Sequence, residues 1–166
     1  MPFVIDNSVV SGWYLENQAT PYTEAIAEHL REDRAVVPAL WELELTNVLR
    51  TACLRQRMTA EKAQQVLARI AKLPIAVDRA GAPPHELLAL ALRFGLSSYH
   101  AAYLELALRL QVPVATVDAA LRDAAVASGV GGGCQFGALS RSDRLQALAA
   151  RPKPRSLLCG LPGFGY

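Results

Sequence analysis

The chain has 166 residues, 52% of them hydrophobic, with a formal net charge of +2. This length suits one domain of ordinary size, and no uninterrupted apolar run approaches the roughly 18 residues a membrane span requires. So small a basic excess does not by itself imply nucleic-acid binding, though it permits an RNA substrate, and Cys53, Cys134 and Cys159, with no C-x-x-C pair, fit neither a disulfide framework nor a structural zinc site.

The opening Met1-Pro2-Phe3-Val4-Ile5-Asp6 reaches a carboxylate too early for the apolar middle of a secretory signal, so a soluble cytoplasmic protein with free thiols is expected. Phe3-Val4-Ile5 is short, aromatic and β-branched, and it stops at Asp6-Asn7-Ser8. It reads as a buried strand running into a helix cap. Thr20-Pro21 offers a cap with proline at the first helical position. Ala35-Val36-Val37 before Pro38 predicts a second strand, with helices over 39–55 and from Thr59 through Lys72. Pro74 to Val77, ending at Asp78, predicts a third strand. Ala82-Pro83-Pro84 then opens a helix, and Ser97-Ser98 caps another over 99–110. A fourth strand is predicted from Val112 to Val117, ending at Asp118.

Short apolar strands alternating with amphipathic helices predict a three-layer α/β/α sandwich around a short, mainly parallel sheet, with any site outside the carboxyl ends of the strands. Eight of the eleven glycines fall from Gly129 onward. The expected division is therefore a compact domain over 1–129 and a Gly/Pro-rich, removable appendage over 130–166 with one helical stretch, Ser140 to Ala150.

Asp6 and Asp118 fall at strand ends, where each could simply cap the next helix for about 1 kcal/mol. Glu44 borders the apolar stripe of its helix with Leu40, Asn47 and Val48, where a carboxylate needs a partner. Carboxylates converging at strand ends raise one another's pKa unless a cation neutralises them. A hard divalent ion such as Mg²⁺ takes oxygen ligands, keeps several waters and can activate one of them against a phosphodiester. Metal-assisted phosphodiester hydrolysis is the reaction class these residues suggest.

Four segments resemble the PIN domain and, within it, the VapC-like toxin ribonucleases of toxin–antitoxin pairs. Phe3 to Ser8 is similar to the family's strand ending in D-x-S, and Pro38 to Leu49 to its P-x-L-W-x-x-E-x-x-N-x-L helix, which selects Glu44 over Glu42. Leu96 to Ala107 resembles L-S-x-Y-D-A-x-Y-L-x-L-A, and Pro113 to Leu121 resembles a strand ending in T-x-D-x-x-L. The segments span residues 3 to about 129 in the family's order. The resemblance implies a PIN-like fold and a pocket binding Mg²⁺ or Mn²⁺ through Asp6, Glu44 and Asp118. Ser8 and Thr116 would be supporting polar groups, and Asn47 would hold Glu44. It further implies endonucleolytic cleavage of RNA, a homodimer, and inhibition by a cognate antitoxin protein.

His100 stands where the family pattern has aspartate. Imidazole in place of a carboxylate removes a negative charge and a hard oxygen ligand, and nitrogen suits Mn²⁺, Zn²⁺ or Ni²⁺ better than Mg²⁺. A protonated His100 could also pair with the acids in place of the ion. The readings that follow are a weakened or metal-shifted nuclease and an inactive PIN fold that binds antitoxin or RNA. An aspartate-nucleophile phosphohydrolase would want a second aspartate where Ser8 stands.

Other polar residues have plainer explanations. Asp123 lies about 140° around its helix from Asp118 and reads as surface. His29 and His85 also read as surface groups. Trp13, Tyr14, Trp41, Tyr99 and Tyr103 read as core or interface rather than base-stacking platforms.

Overall fold

The computed structural model describes residues 1–15 and 18–131. Strand β1 (Phe3–Ile5) runs into a short helix α1 (Asn7–Ser11), and α2 (Pro21–His29) leads to β2 (Ala35–Pro38). Helices α3 (Leu40–Leu54) and α4 (Ala60–Ile70) precede β3 (Ile75–Asp78). Helices α5 (Pro84–Phe94) and α6 (Ser98–Leu110) precede β4 (Val114–Ala115), and α7 (Ala119–Ala127) follows. The strands form a parallel sheet in the order β3-β2-β1-β4, with Val4 paired to Val36 on one side and to Val114 on the other.

Helices α1 to α4 pack on one another as one group. A second group, α5 to α7, places α6 against β1, β2 and β4. The result is the expected three-layer α/β/α sandwich, with β1 wholly buried at its centre and Phe3, Ile5, Ile26, Leu104 and Leu121 in the core. No helix among the described residues is long and apolar enough to cross a membrane.

The caps follow local chemistry. Thr20 and Thr23 form a reciprocal capping box with Pro21 at the first helical position. Thr59 Oγ1 accepts from Lys62 N–H and Ser97 Oγ from His100 N–H, each at 3.1 Å. Gly95 ends α5 at φ 65°, a left-handed turn that a residue with a Cβ enters at a cost.

Three expectations need correction. Strand β4 is only Val114–Ala115 rather than 112–117. Thr116 Oγ1 accepts from Asp118 N–H at 3.0 Å, turning the chain out of the ladder, and Pro113 has no N–H to donate to it. The compact domain also extends past residue 129. Val130 is buried, its carbonyl accepts from Val114 N–H at 3.3 Å, and Gly131 bridges Val114 in parallel. The rest of the expected appendage, including the stretch from Ser140 to Ala150, lies outside the described residues. Finally, His29 is half-buried rather than on the open surface: its Nε2 lies 3.2 Å from Asp33 and its ring 5.3 Å from that of Phe3.

Candidate active site

The strand order places β1 between β2 and β4. The chain runs outward through β1, β2 and β3, then returns to lay β4 on the other side of β1. The carboxyl ends of β1 and β4 therefore flank the point where the winding reverses, the usual place for a crevice in an open α/β sheet. Asp6 directly follows β1, and Thr116 and Asp118 follow β4.

Asp6 is 3% exposed and occupies the N-cap position of α1, yet its side chain makes no cap bond. It accepts instead from the hydroxyls of Ser8 and, at 2.8 Å, Thr116. Ser8 Oγ also accepts from Val117 N–H at 3.3 Å, so a small hydroxyl network joins the two strand ends. Asp118 behaves differently: its Oδ1 accepts from Leu121 N–H at 2.8 Å and caps α7. The capping role open to both aspartates in the sequence thus holds for Asp118 alone.

Glu44 projects from α3 toward this junction and accepts a hydrogen bond from the Tyr103 hydroxyl of α6. Asn47, expected to hold Glu44, is exposed, and Glu42 is bound away at the surface by Arg79 at 3.0 Å. One turn of α6 before Tyr103, His100 Nδ1 stands 3.6 Å from Asp118 Oδ1. Asp123 is exposed beside Arg122, as expected. Tyr103, expected in the core, is buried there and also reaches Glu44 with its hydroxyl. Its spacing of three from His100, which sets both on one helix face, was the available signal.

The electrostatics set these acids apart from those that pair with a cation. Glu28, Glu42, Asp78 and Glu105 each pair with an arginine, and Asp33 with the N-terminal amine. Asp6, Glu44 and Asp118 have no lysine or arginine partner among the described residues. Their hydrogen-bond support is neutral, from serine, threonine and tyrosine hydroxyls and a main-chain N–H, and the imidazole of His100 is the one basic group beside Asp118 among the described residues.

Burial pushes the Glu44 carboxyl above the usual glutamate range, and the nearby Asp6 charge pushes the same way, against the Tyr103 bond and His100. Such a group binds its proton more tightly when folded. Its stabilising contribution is therefore complete below the ordinary unfolded value of about 4.3 and is lost as pH rises through the folded one. Glu44→Gln, which can still accept from Tyr103, is expected to raise the Tm of the metal-free protein at pH 7, by about 2–4 °C for each kcal/mol recovered, with little change at pH 4. Thermal melts in chelator at both pH values check this.

Among the described residues no three His, Cys, Asp or Glu side chains are placed as a ready metal cluster. The donor chemistry nevertheless fits a hard divalent ion. Asp6 Oδ1, Glu44 Oε1 and Asp118 Oδ2 accept no hydrogen bond among the described residues, while the opposite oxygen of each is held in place. An ion that keeps its waters needs only one or two such carboxylates.

No protein-family model matches the chain, and no curated protein sequence matches it. Among solved structures the chain is similar to the crystal structure of PAE2754 from Pyrobaculum aerophilum, with a TM-score of 0.52 at 17% sequence identity. The similarity covers 75% of this chain and 84% of that one. At that identity the likeness is one of fold, and it agrees with the α/β/α architecture.

Proposed function

We propose that the chain is a metal-dependent endoribonuclease of the PIN-domain type, resembling the VapC-like toxins, and that it acts with Mg²⁺ or Mn²⁺. The observation that carries this reading is a set of acids with no lysine or arginine partner among the described residues: Asp6 and Glu44 are held by neutral hydroxyls and Asp118 by a main-chain N–H, with His100 3.6 Å away, while Glu42 and Asp78 pair with arginines. Asp6, Glu44 and Asp118 would hold the ion. When bound, it would supply an activated water and offset the charge of a phosphodiester under in-line attack. Ser8 and Thr116 orient Asp6 so that one oxygen faces out, and Tyr103 does the same for Glu44. The four motif matches extend the reading to a homodimer restrained by an antitoxin.

One observation favours a second reading, a PIN fold that binds antitoxin or RNA without turnover. His100 Nδ1 lies 3.6 Å from Asp118 Oδ1, where an imidazolium would satisfy a carboxylate that the ion otherwise neutralises.

Incubating the purified protein with labelled single-stranded RNA in Mg²⁺, Mn²⁺ or chelator tests the first reading. Cleavage is expected in Mn²⁺ above Mg²⁺ and none in chelator. Cleavage that persists in chelator, or binding of RNA with no cleavage under any metal, would sink it.

A further inference from the structure

Resting on the metal-site reading above, we propose that Tyr103 is a positioning residue: its buried hydroxyl fixes the Glu44 carboxylate in the orientation that receives the divalent ion. Tyr103 is 0% exposed, among the largest fully buried side chains, and its ring belongs to the core. Its hydroxyl donates to Glu44 Oε2, leaving Oε1 without a donor. The main chain of Asn7, the residue after Asp6, also engages that hydroxyl. The phenol thus joins Glu44 to the main chain directly after Asp6.

The bond links helices with different main neighbours. Helix α3 packs on α1 and α4, whereas α6 packs on α5, α7 and the sheet. Glu44 sits on a half-buried face where a long side chain has several rotamers to lose, and a donor anchored in the core removes that freedom before the ion arrives. The chemistry of the donor matters as well. Arg79 cancels the charge of Glu42 and Arg109 that of Asp78, and a cationic partner at Glu44 would do the same and compete with the ion. A phenol holds the carboxylate without neutralising it.

Tyr103→Phe keeps the buried ring and deletes the hydroxyl. Loss of an outer-shell partner typically weakens metal affinity 10–100-fold, and about tenfold is expected here because Glu44 itself remains. Mn²⁺ affinity is read by electron paramagnetic resonance titration, and RNA cleavage is measured at limiting and saturating Mn²⁺. The expected result is weaker Mn²⁺ binding, cleavage largely restored at saturating Mn²⁺, KM for RNA little changed, and no further loss of affinity when Tyr103→Phe is added to Glu44→Gln.

A purely structural tyrosine would lower the Tm while leaving Mn²⁺ affinity unchanged, and that outcome overturns the proposal. So does an equal further loss in the Glu44→Gln background. If Tyr103→Phe does not fold, the wild-type protein carries the test: the ¹³Cζ resonance of Tyr103 must move as Mg²⁺ saturates the site, and a fixed resonance while Mg²⁺ binds refutes the role. Failure of the wild type to bind Mn²⁺ or Mg²⁺ refutes the metal site itself, an outcome separable from normal metal binding that ignores Tyr103.

Discussion

Asp6→Asn is expected to abolish metal-dependent RNA cleavage, with a loss above about 10²-fold, beyond the 10–100-fold typical of removing an outer-shell partner. Asp6 is the most buried of the three acids and joins β1 to β4 through the hydroxyls of Ser8 and Thr116. Asparagine keeps the shape and one acceptor oxygen, so those hydroxyls retain a partner. What it removes is a charge, and with it one of the hard oxygen donors proposed to hold the ion. Because like charges no longer face each other across the site, the metal-free Tm is expected to hold or rise. The combination is diagnostic: activity and Mn²⁺ affinity fall while stability does not. If Asp6 were only an inert buried residue, Asp6→Asn would leave cleavage intact. Parallel cleavage assays and thermal melts decide between the two.

Much of the fold that frames the candidate site was legible in the chain because its parts lie in local motifs. Thr20, Thr59 and Ser97 announce helices through caps that depend on three or four neighbouring residues. Glu44 could be told from Glu42 by its place in the helix motif, and the structure gives the physical counterpart: Glu42 turns out to Arg79 while Glu44 turns in to Tyr103. The behaviour of Asp6 was less legible. A capping aspartate and a site aspartate occupy the same position after a strand, and what separates them is Thr116, 110 residues away. Tyr103 was hidden for a related reason. Its ring does belong to the core, as helical spacing predicts, and only its hydroxyl, bonded to a carboxylate 59 residues distant, reaches the candidate site. The family's helix motif implies Asn47 as the partner of Glu44, but in the fold a different helix reaches the carboxylate. Local pattern marks candidate acids, whereas the groups that orient them are set by tertiary packing.

His100→Asp is the substitution expected to raise activity. Position 100 is the third residue of α6, and Ser97 Oγ already accepts its N–H, so a carboxylate there meets the positive end of the helix and is favoured by about 0.3–1 kcal/mol. Without metal that gain is opposed by new repulsion, since position 100 faces Asp118 at 3.6 Å and acts on Glu44. The metal-free variant is therefore expected to melt no higher than the wild type, and to gain more Tm than the wild type on adding Mg²⁺. A fourth hard oxygen in place of a nitrogen shifts preference from Mn²⁺ toward Mg²⁺. Mg²⁺-supported cleavage should rise between about tenfold and 100-fold, the tenfold limit corresponding to about 1.4 kcal/mol. If the wild type already cleaves as fast in Mg²⁺ as His100→Asp, the histidine is a competent ligand and not a replacement for the ion. If His100→Asp gains Mg²⁺ affinity without turnover, the metal site is sound and the lost step lies in substrate positioning around Asp118. Measuring affinity and cleavage on the same preparations separates these cases, because repulsion acts on the first and geometry at the attacked phosphate on the second.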